Sequence, residues 1–181
     1  MPATTTPSPA GEPVRSVMFV CTGNVCRSAY AEHLLRHLVP DIEVSSAGTF
    51  ALVGEGMEAQ MAAELRRRGP DSSAFRASAL DSRVLDADLV LTMSDRQLGF
   101  LVEEYPGTAR RAGLLGHVAE LGQESGGEPL TRGAVAAWSR RTHPGGRNVP
   151  DPYRRPAEEA AACANLLDDL VGQVAELLRP A

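Results

Sequence analysis

The chain contains no lysine, and its 18 basic residues are all arginine. Schiff-base and other lysine-dependent chemistry is therefore excluded, and the arginine usage reads as coding bias rather than function. Cysteine is scarce. Cys21, Cys26 and Cys163 are an odd set with two members in one short loop, which is no disulfide framework and suits a reducing cytoplasm. No apolar run reaches the ~18 residues that a bilayer crossing needs, so no membrane span is expected. The net charge of −5 argues against nucleic-acid or anionic-membrane partners. His33, His37, His117 and His143 show no ligand spacing with other His, Cys or carboxylates, so neither metal nor cofactor is expected. No internal repeat is visible, and nothing in the chain speaks to its oligomeric state.

What is present begins at an apolar run, Val17-Met18-Phe19-Val20, followed by Cys21-Thr22-Gly23-Asn24-Val25-Cys26-Arg27-Ser28 and then a helical pattern from Ala29 onward. A thiol and a guanidinium flank a short strand-to-helix loop. Consecutive backbone N–H groups from Thr22 to Cys26 can converge on an anion, and Gly23 turns the chain without a Cβ penalty. The helix start adds unpaired N–H groups and a positive dipole end. Arg27 can fork onto two phosphate oxygens, leaving Cys21 beneath the phosphorus. Helix N-termini and nearby cations stabilise thiolates, so Cys21 is expected to act as one, with Ser28 adding a hydroxyl hydrogen bond. The pattern predicts nucleophilic attack on phosphorus, a phosphocysteine and its hydrolysis.

With 181 residues, 43% of them hydrophobic, the chain fits one domain with a real core. Residues 1–15 are rich in Pro, Thr and Ala, lack a signal-peptide pattern and read as a disordered tail, with the domain spanning 16–181. Residues 16–20 read as a buried strand, 42–46 as a second and 89–93 as a third, with a short fourth at Leu114-Leu115. Helices are expected after the loop up to Pro40, over 58–68, over 95–104, and from Arg155 or Ala157 to Leu178. This alternation predicts an α/β fold, a parallel sheet with helices on both sides, with ligands at the carboxyl ends of strands. Residues 122–149 read as a long irregular insertion, interrupted by a short helix over 131–141 for which Trp138 is the anchor. Cys163 reads as plain core or surface.

The segment from Cys21 to Ser28 resembles the low-molecular-weight protein tyrosine phosphatase family. Val44-Ser45-Ser46-Ala47-Gly48-Thr49, Ala87-Asp88-Leu89-Val90-Leu91-Thr92-Met93 and a late Asp151-Pro152-Tyr153 are similar to three further family motifs. The resemblance implies a single three-layer α/β/α domain with a four-stranded parallel sheet in order 2-1-3-4. It implies Cys21 as nucleophile, Arg27 as phosphate clamp, Asn24 and Ser46 as loop supports, and Ser28 as a partner of the thiolate. Asp151 would protonate the leaving oxygen and then activate water, and Tyr153 would stack on an aromatic substrate. Four positions depart from the pattern: Ala29 replaces a proline, Phe75 stands where a histidine is common, Arg154 replaces a second aromatic, and Phe50 stands for an aromatic past Ala47-Gly48-Thr49.

Alternatives stay open at this stage. Cys26 either packs under the loop or forms a reversible disulfide with Cys21. Asp151-Pro152 taken alone is a turn start. The implied function is hydrolysis of protein phosphotyrosine. Hydrolysis of protein phosphoarginine is the first rival, although the branched apolar Val25 favours an aryl phosphate. A small-molecule phosphomonoester phosphatase and, lower, an arsenate reductase follow. The last needs a cysteine relay, for which only Cys163 remains.

Overall fold

The computed structural model describes residues 9–141, 143 and 145–179. Strand β1 (Ser16–Cys21) lies in the middle of the sheet because Val17 to Val20 carry no polar side chain and can be covered on both faces. It pairs in parallel with β2 (Glu43–Gly48) on one side and β3 (Leu89–Thr92) on the other, and β3 pairs in parallel with β4 (Ala112–Leu114). The order is β2-β1-β3-β4, as the resemblance implies. Strand periodicity then divides the core. Val17, Phe19, Cys21, Val44, Leu89 and Leu91 face one layer of helices, while Met18, Val20, Ala47, Val90 and Ala112 face the other.

The first layer contains α1 (Arg27–Leu38), α2 (Ala59–Arg67), α4 (Val118–Ser125), α5 (Arg132–Ser139) and the long α6 (Ala157–Leu178). The second contains α3 (Asp95–Glu104), which contributes the buried Leu101, and a 3₁₀ turn over Ser82–Asp86, which contributes Val84. Both layers leave the carboxyl ends of β1 and β3 open to the loops that follow them.

Three sequence expectations need revision. The fourth strand starts two residues earlier than expected. Gly113 fits there only because it has no side chain, since a Cβ would come within 2.1 Å of the Trp138 ring. Trp138 is therefore a plug against the sheet as well as the anchor of α5, and it is fully buried. Second, 122–149 is not wholly irregular. Helix α4 runs through Ser125 and ends at Gly126 with φ +64°, and α5 follows. Third, residues 1–8 of the expected tail lie outside the described residues, but the tail's other end is docked. Pro9–Gly11 forms a 3₁₀ turn, Val14 N donates to Leu130 O at 2.9 Å, Arg132 N donates to Glu12 O at 2.9 Å, and Val14 is buried. Backbone pairing with 130–132 orders a stretch whose composition alone suggested no structure.

Candidate active site

Cys21 ends β1 and Arg27 opens α1, so the loop between them spans the sheet's carboxyl edge and a helix N-terminus. Its backbone orientation follows from where its carbonyls go. Cys21 O accepts from Thr49 N at 2.9 Å, Thr22 O from Phe50 N at 3.0 Å, Gly23 O from Leu52 N at 3.0 Å and Val25 O from Glu58 N at 2.8 Å. With the carbonyls bonded outward to 49–58, the amides are turned the other way, and no described backbone bond is donated by Gly23 to Cys26. Converging N–H groups at a helix start make an anion cradle. Gly48 allows the approach, because a Cβ there would lie 2.4 Å from Thr22 O.

Asn24 is buried in the left-handed region, with φ +56°. Its side chain holds it there. Nδ2 donates to Ser28 Oγ at 2.9 Å and to Ser46 Oγ at 2.8 Å, and Oδ1 accepts Ser78 N at 2.8 Å. The backbone donor at Ser78 fixes the amide orientation, and that sets every proton in the network. Ser28 Oγ accepts from Asn24 and lies 2.8 Å from Cys21 Sγ, so its own proton is free to point at the sulfur. Ser46 also accepts from Asn24, so it donates onward to the Glu32 carboxylate, which is buried and paired with Arg36. Asn24 thus sits at the centre of a network that the Glu32 carboxylate closes at one end and the Cys21 sulfur at the other.

Glu32 is a functional residue that sequence reasoning missed, since an acid in a helix reads as a solvated face. Gln97 is another. Its Oε1 accepts Met93 N at 2.9 Å and its Nε2 donates to Thr22 Oγ1 at 3.1 Å, bracing the loop from α3. At Phe75, where a histidine is common, the support of the loop can be read directly. Phe75 is buried with its ring edge-on to His33 at 5.3 Å, and the backbone of Ser78 donates to Asn24.

Arg27 is buried. Its Nη1 donates to Val149 O at 3.0 Å and its Nη2 lies 3.2 Å from Asp151 Oδ2, while Nε has no partner among the described residues. The Nε–Nη2 edge is the one that grips an oxyanion bidentately. Val149 N is anchored to Met93 O at 2.8 Å, so the end of β3 sets where the chain enters Asp151-Pro152-Tyr153. Asp151 is half exposed and accepts Tyr153 N at 3.2 Å through Oδ1, so the turn reading and the site reading hold together. The Arg154 guanidinium lies over the Tyr153 ring, 5.2 Å from its centroid, which makes this wall more polar than two aromatics would.

Cys21, Cys26 and Cys163 are all free and buried. Burial, with added repulsion from Glu58 and Asp151, pushes the Cys26 thiol well above its usual range. Burial likewise pushes Cys163 up to about 12, with Arg27 opposing and Asp151 and Cys21 reinforcing the shift. Cys163 is a core residue on the inner face of α6, close enough to the site to feel Arg27 and Asp151. Among the described residues no group of three or more His, Cys, Asp or Glu is arranged to hold a metal ion.

The family model for "Low molecular weight phosphotyrosine protein phosphatase" matches residues 16–127. The chain belongs to that family. It is 30% identical to the low-molecular-weight protein-tyrosine-phosphatase Wzb of Escherichia coli K12 over 164 residues, covering 90% of this chain and 95% of that protein. Among solved structures it is similar to the low-molecular-weight protein tyrosine phosphatase of T. tengcongensis, with TM-score 0.72 and 31% identity over 90% of this chain and 99% of that one. It is also similar to the YwlE arginine phosphatase of Geobacillus stearothermophilus, with TM-score 0.71 and 29% identity over 90% and 91% of the two chains. Of the family's cysteine chemistry, the loop, the thiol, the guanidinium and the late aspartate are all brought together here. No helix among the described residues is long and apolar enough to cross a membrane.

Proposed function

We propose that the protein hydrolyses phosphotyrosine in other proteins through a phosphocysteine on Cys21. The observation that carries this is one cluster: Cys21 Sγ is hydrogen-bonded with Ser28 Oγ inside the cradle, and Arg27 reaches Asp151 at its mouth. In the first step Cys21 Sγ attacks phosphorus, the bond to the tyrosyl oxygen breaks, and Asp151 gives that oxygen a proton. Arg27 and the amides of Thr22 to Cys26 hold the equatorial oxygens, on which charge develops. In the second step the Asp151 carboxylate takes a proton from water, the water oxygen attacks phosphorus, and the S–P bond breaks to return the thiolate and release phosphate. Tyr153 offers a ring against which the substrate ring stacks, and Ser46 and Asn24 hold the loop in shape.

Val25 supports phosphotyrosine. It is a buried, branched apolar side chain in the loop, where a hydroxyl would suit a guanidinium better. Similarity to an arginine phosphatase keeps phosphoarginine as the second reading. We read residues 16–181 as one catalytic domain working in the cytoplasm on phosphorylated proteins. Parallel kcat/KM measurements on matched phosphotyrosyl and phosphoarginyl peptides test the substrate. A large preference for phosphoarginine would overturn it.

A further inference from the structure

A hollow of about 270 Å³ opens beside the phosphate loop, lined by Thr22, Thr49, Phe50, Arg96, Gln97 and Phe100, with Ser94 completing it. Thr22 follows the nucleophile directly, so the hollow adjoins the reacting centre. It is also rigidly placed. Thr49 and Phe50 are tied by their amides to Cys21 O and Thr22 O, and Gln97 is bonded to Thr22 from the other side. The first turn of α3 is held as well, with Ser94 Oγ accepting Gln97 N at 3.3 Å and Asp95 N donating to Asn148 Oδ1 at 2.9 Å.

Its chemistry is mixed in a way the dephosphorylation steps do not use. Phe50 and Phe100 form a tilted aromatic pair with centroids 5.6 Å apart. Phe50 is 69% exposed, and with Leu52 and Val53 it supplies three of the four large exposed hydrophobic residues among those described. Such an apolar rim beside a catalytic cradle is a contact surface. Arg96 is exposed at the hollow and takes part in none of the ion pairs among the described residues, so its guanidinium is available to a ligand there.

We infer that this hollow is a subsite for the residues flanking the phosphorylated one. It takes an apolar side chain against Phe50 and Phe100 and an Asp or Glu carboxylate on Arg96. The inference rests on the reading that the substrate is a phosphorylated polypeptide. A small phosphorylated metabolite would fill the cradle and leave the neighbouring hollow without use.

The test uses one set of peptides prepared with phosphotyrosine and again with phosphoarginine. The flanking pair is Glu-Leu, Lys-Leu or Glu-Ser, and kcat/KM is measured for the wild type, Arg96→Glu and Phe100→Ala. An exposed charge pair changes binding only modestly, so the wild type should prefer Glu-Leu over Lys-Leu by about fivefold. Arg96→Glu should reverse that ratio, which separates Arg96 from the nearby Arg154. Phe100→Ala should remove the advantage of Leu over Ser while leaving the charge preference in place. A flank preference in either chemistry supports the subsite, and the chemistry that turns over reports separately on the amino acid. Equal rates across flanks, or an acidic preference that survives Arg96→Glu, would overturn the subsite. So would turnover of p-nitrophenyl phosphate with neither peptide set accepted.

Discussion

Glu32→Gln is nearly isosteric, yet it should disturb catalysis through hydrogen-bond direction alone, without touching substrate. In the native network one Glu32 oxygen accepts from Arg36 and the other from Ser46. A glutamine has one acceptor and one NH₂. If the NH₂ faces Arg36, two donors oppose each other. If it faces Ser46, the serine must accept and turn its proton elsewhere, and its remaining neighbour, Asn24 Nδ2, is itself a donor. Flipping the Asn24 amide relieves nothing, since Nδ2 would then meet the Ser78 N–H. One hydrogen bond in a buried network must be lost, at about 1–3 kcal/mol. Where that loss loosens Asn24 and with it the loop that carries Cys21, turnover drops roughly 5- to 160-fold at about 1.36 kcal/mol per decade. The assay is a double-mutant cycle with Ser46→Ala, reading kcat for an aryl phosphate and thermal stability together. In the Ser46→Ala background the frustrated link is gone, so Glu32→Gln should cost much less. Additive effects of the two substitutions would refute the directional chain. So would a Glu32→Gln enzyme within about twofold of wild type in both readouts, since that lies below the loss of even one such bond.

Cys21→Ser should abolish turnover while vanadate still binds the cradle by calorimetry, and residual full activity would remove Cys21 from the nucleophile role. Asp151→Asn should slow substrates with poor leaving groups by about 10²–10⁴-fold and p-nitrophenyl phosphate far less, and equal slowing would assign the acid elsewhere. His117 is buried with neither ring nitrogen bonded among the described residues, and desolvation, followed by repulsion from nearby His143, lowers its proton affinity below the usual 6.5. Below that value the unfolded chain takes up a proton that the folded state refuses, so stability present above about pH 6.5 is lost as pH falls. Denaturant melts should fall less steeply from pH 7 to 5 in His117→Leu, and an unchanged slope would exclude this group. Gly113→Ala drives a methyl into the Trp138 ring and should cost about 3 kcal/mol or more, a Tm loss of roughly 6–12 °C; a wild-type Tm would mean the ring yields freely.

The sequence by itself determined the parts that rest on neighbours along the chain. A β-branched apolar run entering a Cys-to-Arg loop entering a helix is a local instruction, and β1, the cradle, Cys21, Arg27 and Ser28 followed from it. The alternation of strands and helices dictated a parallel sheet, and a late Asp151-Pro152-Tyr153 offered a candidate acid once the family resemblance was in view. The tertiary structure decided what depends on residues far apart in sequence. Ser78 chooses the orientation of Asn24, 54 positions away, and Val149 O takes one end of Arg27 from 122 positions away. Glu32 reads as a surface acid until β2 brings Ser46 to it, and Gly113 reads as a loop residue until Trp138 lies on it. Phe50, Arg96 and Phe100 belong to one hollow only after the 49–52 segment and α3 close on the same loop. Periodicity and motif spacing record which face a residue takes and what its immediate neighbours permit. They carry no record of which partner waits across the fold, and in this protein the partners aim the thiolate and shape the surface beside it.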